Sequence, residues 1–160
     1  MLEYQPVKDT YKTISKIIAT LFFIGYMPFA PGTFGTLAGM LFIWILKPSF
    51  PWQFALLIAA LIIGIITSGI AEKAFGEKDS RHIVIDEFVG YLCSVILLPL
   101  TPAYMLAAFF LFRFFDILKP PPIHMLERIS GGIGVMCDDV AAGIATNVLL
   151  QIVRLAAACA

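Results

Sequence analysis

Arg113 to Gly143 reads RFFDILKPPPIHMLERISGGIGVMCDDVAAG, and the rest of the chain is organised around it. This stretch gathers Arg113, Asp116, Lys119, His124, Glu127, Arg128, Asp138 and Asp139 in a protein that is otherwise mostly apolar. Arg113, Asp116 and Lys119 are spaced i, i+3, i+6, which sets them along one face of a helix. Pro120, Pro121 and Pro122 end that helix, because proline lacks the N–H and clashes with the preceding turn. Ser130 to Gly134 reads as a flexible turn, and Asp138 and Asp139 stand just before a new apolar run. Carboxylates at a helix start are favoured by its dipole and cap its N–H groups. Capping accounts for one aspartate. Two of them, with a third acid at Asp116, point to a functional site.

Composition bounds the class. One chain of 160 residues suggests a single domain, 1–160. It is 60% hydrophobic and 14% charged, against roughly a quarter charged in soluble proteins. That argues for a membrane protein. The formal net charge is zero, so no global field points to nucleic acid. Cys93, Cys137 and Cys159 form neither a C-x-x-C pair nor a disulfide framework.

From the N-terminus, residues 1–16 are polar and carry Lys8, Lys12 and Lys16. The apolar run 17–27 behind them imitates a secretory signal, but no A-x-A site follows, so a retained amphipathic or re-entrant segment is expected. Next comes PFAPGTFGTLAG, Pro28 to Gly39. Its glycines would let a backbone loop approach an anion, with the hydroxyls of Thr33 and Thr36 as further donors. Packing of Gly35 and Gly39 on a neighbouring membrane helix explains the same spacing equally well, and the G-K-[ST] of a P-loop is absent.

Further apolar segments follow at about 37–46, 52–71, 83–98, 103–115 and 140–159. Trp52 to Ala71 is the clearest span, with no charge over roughly 20 residues. The charged loop Glu72 to His82 reads as a solvated connection. In VIDEFVGY, Asp86 and Glu87 sit near one end of an apolar segment, where an acid is costly and therefore functional by default. Gly90, four residues after Asp86, opens one side of that helix. The last segment contains Asn147, Gln151 and Arg154, of which Arg154 can snorkel.

Lysine and arginine set the topology. The N-terminal segment, the loop 72–82 and the stretch 113–138 hold most of them, while 47–51 and 98–102 hold one lysine between them. The basic loops are expected in the cytoplasm, which brings Gly32–Thr36, Asp86–Glu87 and Asp116–Asp139 to one membrane face.

Carboxylates without a matching His or Cys set favour a hard cation with oxygen ligands, chiefly Mg²⁺. His82 and His124 lack zinc-ligand spacing. Together with Arg113 and Lys119, these are the parts that stabilise phosphoryl transfer. The sequence lacks the Cys-x₅-Arg of cysteine phosphatases and the D-x-D-x-[TV] of haloacid dehalogenases, and neither histidine lies in a membrane phosphatidic acid phosphatase motif.

APGTFGTLAG, VIDEFVGY, FRFFDILKPPPI and GGIGVMCDDVAAG, in this order, resemble the phosphatidylglycerophosphatase A family from about Gly25 to Gly143. The resemblance implies Mg²⁺-dependent removal of the terminal phosphate of phosphatidylglycerophosphate. It marks Asp86, Glu87, Asp116, Asp138 and Asp139 as acidic site residues, with Lys119, Gly32, Thr33, Gly35 and Thr36 beside them. The expected protein is thus an all-α, compact polytopic helical bundle of the cytoplasmic (inner) membrane, its active site facing the cytoplasm. In it Asp86, Glu87, Asp138 and Asp139 hold the metal. Arg113, Lys119 and the Gly32–Thr36 amides bind the phosphate, and Asp116 activates water, with a carboxylate nucleophile as the alternative. The partner is a phospholipid in a membrane, and the oligomeric state stays open. A cation transporter, or an enzyme acting on another lipid phosphate, would use the same parts; a transporter should spread its polar groups through the membrane depth.

Overall fold

The computed structural model describes residues 6–78, 80–121 and 123–159; Pro6, Val7, Lys8, Glu127 and Arg128 are described in backbone only. The first five residues of the polar N-terminal segment, Asp79 of the charged loop and Pro122 of the proline run lie outside it. The described residues form six α-helices and no strand. These are α1 (Pro6–Ala19), α2 (Pro31–Leu46), α3 (Phe50–Phe75), α4 (Ile85–Ser94), α5 (Pro102–Leu118) and α6 (Gly131–Cys159). Short 3₁₀ turns lie at Ile24–Tyr26 and Ile123–Arg128.

The hub is α4, ten residues that are nearly all buried, with α2, α3, α5 and α6 packed around them. Tyr91, Leu92 and Val95 meet Ile43 of α2, Met105 and Ala108 of α5 and Leu150 of α6 in one apolar cluster. Ile85 and Val89 meet Ala71 of α3, Val135 and Met136 of α6 and Ala19 of α1 in another. At about 1.5 Å per residue α4 is ~15 Å long, half the hydrocarbon thickness of a bilayer. The expected 83–98 segment therefore ends early. Its last carbonyl and those of the turn that follows are met by α6: Asn147 Nδ2 donates to Ser94 O at 3.0 Å and Ile96 O at 2.7 Å. Gln151 Nε2 donates to Ile96 O at 3.4 Å, and Arg154 to Leu97 O at 2.9 Å. Buried carbonyls without a donor are costly, so these side chains let a short helix stop inside the bundle.

Only α3 and α6 are long and apolar enough to cross a membrane among the described helices. Ile62 and Ile66 of α3, Phe110 and Phe114 of α5, and Ile152 and Leu155 of α6 are exposed on the outside. So broad an apolar surface is unusual on a water-soluble monomer.

Three local expectations change. The 17–27 run is not one segment: α1 ends at Ala19, and Leu21, Phe22 and Phe23 take positive φ as the chain turns back. Ser130–Gly134 is not a loose turn, because α6 begins at Gly131. Its glycines permit close packing; a Cβ on Gly132 would strike Ile65 O of α3. In consequence Asp138 and Asp139 lie in the third turn of α6 rather than at its start, so they cannot be N-terminal caps.

Candidate active site

The starts of α2 and α4, the end of α5 and the third turn of α6 meet at one end of the bundle. They enclose a cavity of about 350 Å³, lined by Gly32, Asp86, Glu87, Arg113, Asp116, Lys119, Asp138 and Asp139. Ala30, Pro31, Ser80, Arg81 and Ile83 complete its wall.

Glycines bring the helices this close. On α2, Gly32, Gly35 and Gly39 form a stripe against α4: a Cβ on Gly32 would overlap Glu87 Oε1, and one on Gly35 would stand 2.7 Å from Val84 O. At the α4–α6 crossing, a Cβ on Gly90 would lie 2.8 Å from Asp139 O, and one on Gly143 would meet Gly90 O. These absent side chains draw Asp139 up to Asp86 and Glu87. One oxygen from each of the three lies within 4.8 Å of the others.

The cations are placed separately. Arg113 Nη1 bonds Asp116 Oδ2 at 2.6 Å on its own helix and stands 3.9 Å from Glu87 Oε1. Lys119 is not the third member of a helical face. It is the C-cap of α5, with φ 41°, and its Nζ donates to Asp138 Oδ2 at 2.6 Å. The turn before the prolines swings it towards α6. Asp138 is thereby tied to a lysine, while Asp139 faces the α4 acids.

Buried acids crowd one another. Burial raises the Asp86 carboxyl well above the ordinary range, and the charges of Glu87 and Asp139 push it the same way. Burial also raises Glu87; its hydrogen bond with Asp86 opposes this, the Asp116 charge adds to it and the Arg113 charge opposes it. Glu87 Oε2 is buried with no hydrogen-bond partner among the described residues.

Of the other residues expected in the site, Thr33, Gly35 and Thr36 do not line the cavity. The Gly/Thr motif is the first turns of α2 rather than a loop. Thr36 is fully buried and its hydroxyl bonds Gly32 O at 3.0 Å. The amides of Thr33 and Phe34 are taken by Ala30 O. Gly32 alone of the four reaches the wall. Ser80 and Arg81 were missed, since a charged loop reads as solvated. The available signal was their position a few residues before Asp86, in a basic loop on the same side as the acids.

A helical bundle with acids and cations joined in one end cavity is the arrangement of a protein that handles a charged group at the end of an apolar body. The family description "Phosphatidylglycerophosphatase A" matches residues 17–154, and the chain belongs to that family. It is 36% identical over 141 residues to phosphatidylglycerophosphatase A of Escherichia coli, covering 86% of this chain and 81% of that one. Phosphatidylglycerophosphatase A of Haemophilus influenzae is 40% identical over 132 residues, covering 80% and 81%. A Bacteroides thetaiotaomicron protein, named provisionally as a phosphatidylinositol-3-phosphatase, is 39% identical over 148 residues, covering 86% and 92%. No solved structure matches the chain. The chain is accordingly a phosphatase by family.

Proposed function

We propose that the protein hydrolyses the terminal phosphate of phosphatidylglycerophosphate, with a divalent cation, Mg²⁺, held at Asp86, Glu87 and Asp139. The observation that carries this is the cavity itself: five acids and three cations, Arg81, Arg113 and Lys119, face one space. The formal excess of two negative charges repels a phosphate dianion, and one divalent cation removes it. Three carboxylate oxygens within 4.8 Å of one another are the donor type that a hard divalent cation takes, and these residues would hold it. The bare Glu87 Oε2 supplies a further donor. When bound, such an ion polarises phosphoryl oxygens and offsets charge developing on them.

The side chains do the rest. Arg113 and Lys119, both from the end of α5, bind the phosphate, held by Asp116 and Asp138 respectively. Asp138 is thus a positioning residue for Lys119 in this reading, rather than a metal ligand. Asp116, its carboxylate fixed by Arg113, takes a proton from the attacking water. Oxygen adds to phosphorus, the ester P–O bond breaks, and the leaving glycerol oxygen gains a proton, giving phosphatidylglycerol and inorganic phosphate. Direct attack by a carboxylate is the alternative, and trapping of a phosphorylated enzyme distinguishes the two.

The exposed apolar surface and the long apolar helices α3 and α6 support the reading of a multi-pass membrane protein. The basic loops support a cavity on the cytoplasmic side of the inner membrane. The Bacteroides relative favours a second head group, since a phosphoinositide carries the same phosphomonoester. Phosphate release from purified protein should be measured on a panel of phosphatidylglycerophosphate, phosphatidylinositol 3-phosphate and phosphatidic acid. The highest kcat/KM is expected for phosphatidylglycerophosphate. A preference for either of the others would reassign the head group, and no release from any would refute the phosphatase reading.

A further inference from the structure

Two cavities of opposite character lie along the seam between α2 and α5. The acidic one is at the end formed by Gly32, Arg113 and Asp116. The other, of about 250 Å³, is lined by Met40, Leu41, Trp44, Pro102, Met105 and Leu106. At 100° per residue, Pro102, Met105 and Leu106 fall with Arg113 and Asp116 on one face of α5 roughly 100° wide. On α2, Met40 and Trp44 follow Thr33 by 7 and 11 residues, a helical stripe that starts beside Gly32. The glycine stripe is turned to α4 instead. Eight residues separate Gly32 from Met40 and Arg113 from Met105, an axial distance of about 12 Å.

We infer that the groove between α2 and α5 is an acyl-chain site for the lipid whose phosphate enters the acidic cavity. This rests on the lipid phosphatase reading above. An occupant charged at one end and apolar at the other matches the groove's polarity. The axial distance leaves room for the glycerol and phosphodiester units between a terminal phosphate and the acyl esters. Leu41, Trp44 and Leu106 are 40–48% exposed, so the groove is open sideways and a chain enters from the surrounding bilayer without a tunnel. A competing apolar pocket of about 330 Å³ lies between α3 and α6, lined in part by Ile65, Met136, Val140 and Ile144. Those α6 residues lie on the opposite helical face from Asp138 and Asp139. A lipid seated there would have its head turned from the acids.

The test compares dioleoyl phosphatidylglycerophosphate with its acyl-free head group in detergent. Leu41→Trp and Leu106→Trp fill the groove, and each should lower the ratio of kcat/KM for the long-chain substrate to that for the head group by about tenfold or more, as loss of apolar pocket contacts does. Ile144→Trp, in the competing pocket, should leave that ratio unchanged. An unchanged ratio in both groove variants, or a fall confined to Ile144→Trp, overturns the assignment. A second readout needs no turnover. With Trp52→Phe, Trp44 is the one remaining tryptophan, and a brominated-chain phosphonate analogue should quench its fluorescence saturably, reversed by the unbrominated analogue. Quenching that never saturates overturns the groove. Saturable quenching in a protein that releases no phosphate would uphold the groove and refute the phosphatase reading.

Discussion

Gly32 of α2 lies so close to Glu87 of α4 that a single added Cβ would overlap the Glu87 carboxylate oxygen. Gly32→Ala should therefore displace Glu87 from the acid cluster. Alanine is the better helix former by about 1 kcal/mol, so helix propensity opposes any loss. A displacement of order 1 Å at reacting groups can cost about 10²-fold in rate, and that is the expected fall in kcat at matched expression and unchanged thermal stability. Turnover equal to wild type would show that Glu87 does not need its observed position.

The pairing of Lys119 with Asp138 separates two kinds of acid. Asp86→Asn and Asp139→Asn remove charge from the proposed cation set, so each should raise the Mg²⁺ concentration needed for half-maximal activity, and excess Mg²⁺ should recover part of the rate. Asp138→Asn loosens Lys119 instead. Its defect should appear as a higher KM that excess Mg²⁺ does not repair. A Mg²⁺ titration of the three variants reads this directly, and a Mg²⁺ shift in Asp138→Asn like that of Asp139→Asn would return Asp138 to the metal.

Asn147 closes the far end of α4 through two backbone carbonyls. Asn147→Leu keeps most of the volume and leaves those acceptors without their amide donor, which should cost about 1–3 kcal/mol. Gln151→Leu loses a single 3.4 Å contact and should cost less. Melting temperatures in detergent should fall in that order, and equal values for Asn147→Leu and wild type would remove the capping account of why α4 stops.

The acids were legible in the sequence because charge is conspicuous in an apolar chain. Asp86, Glu87, Asp116, Asp138 and Asp139 were separated along the chain, yet all face one cavity. The basic-loop rule, which says nothing about acids, already placed them at the same end. Their division of labour was not legible. Whether Asp138 or Asp139 meets the lysine depends on the 100° between neighbouring helical residues and on the left-handed turn at Lys119. The Gly/Thr motif was ambiguous for a similar reason: glycine serves anion binding and helix packing alike, and the identity of α2's neighbour decided it for Gly35 and Gly39. The length of α4 was hidden too, since the residues that end it come from α6, more than fifty positions later.

The most direct test of the central claim is inorganic phosphate release from phosphatidylglycerophosphate by purified wild type and Asp139→Asn, each with EDTA and with saturating Mg²⁺. Asp139 is the α6 contribution to the three-acid set, and its replacement retains size while removing charge. Wild type should be active only with Mg²⁺, and Asp139→Asn should be slower by about 10²–10³, the usual cost of one positioned electrostatic group. Full wild-type turnover in metal-free buffer, or a folded Asp139→Asn as fast as wild type, would contradict a metal-assisted phosphatase built on these acids.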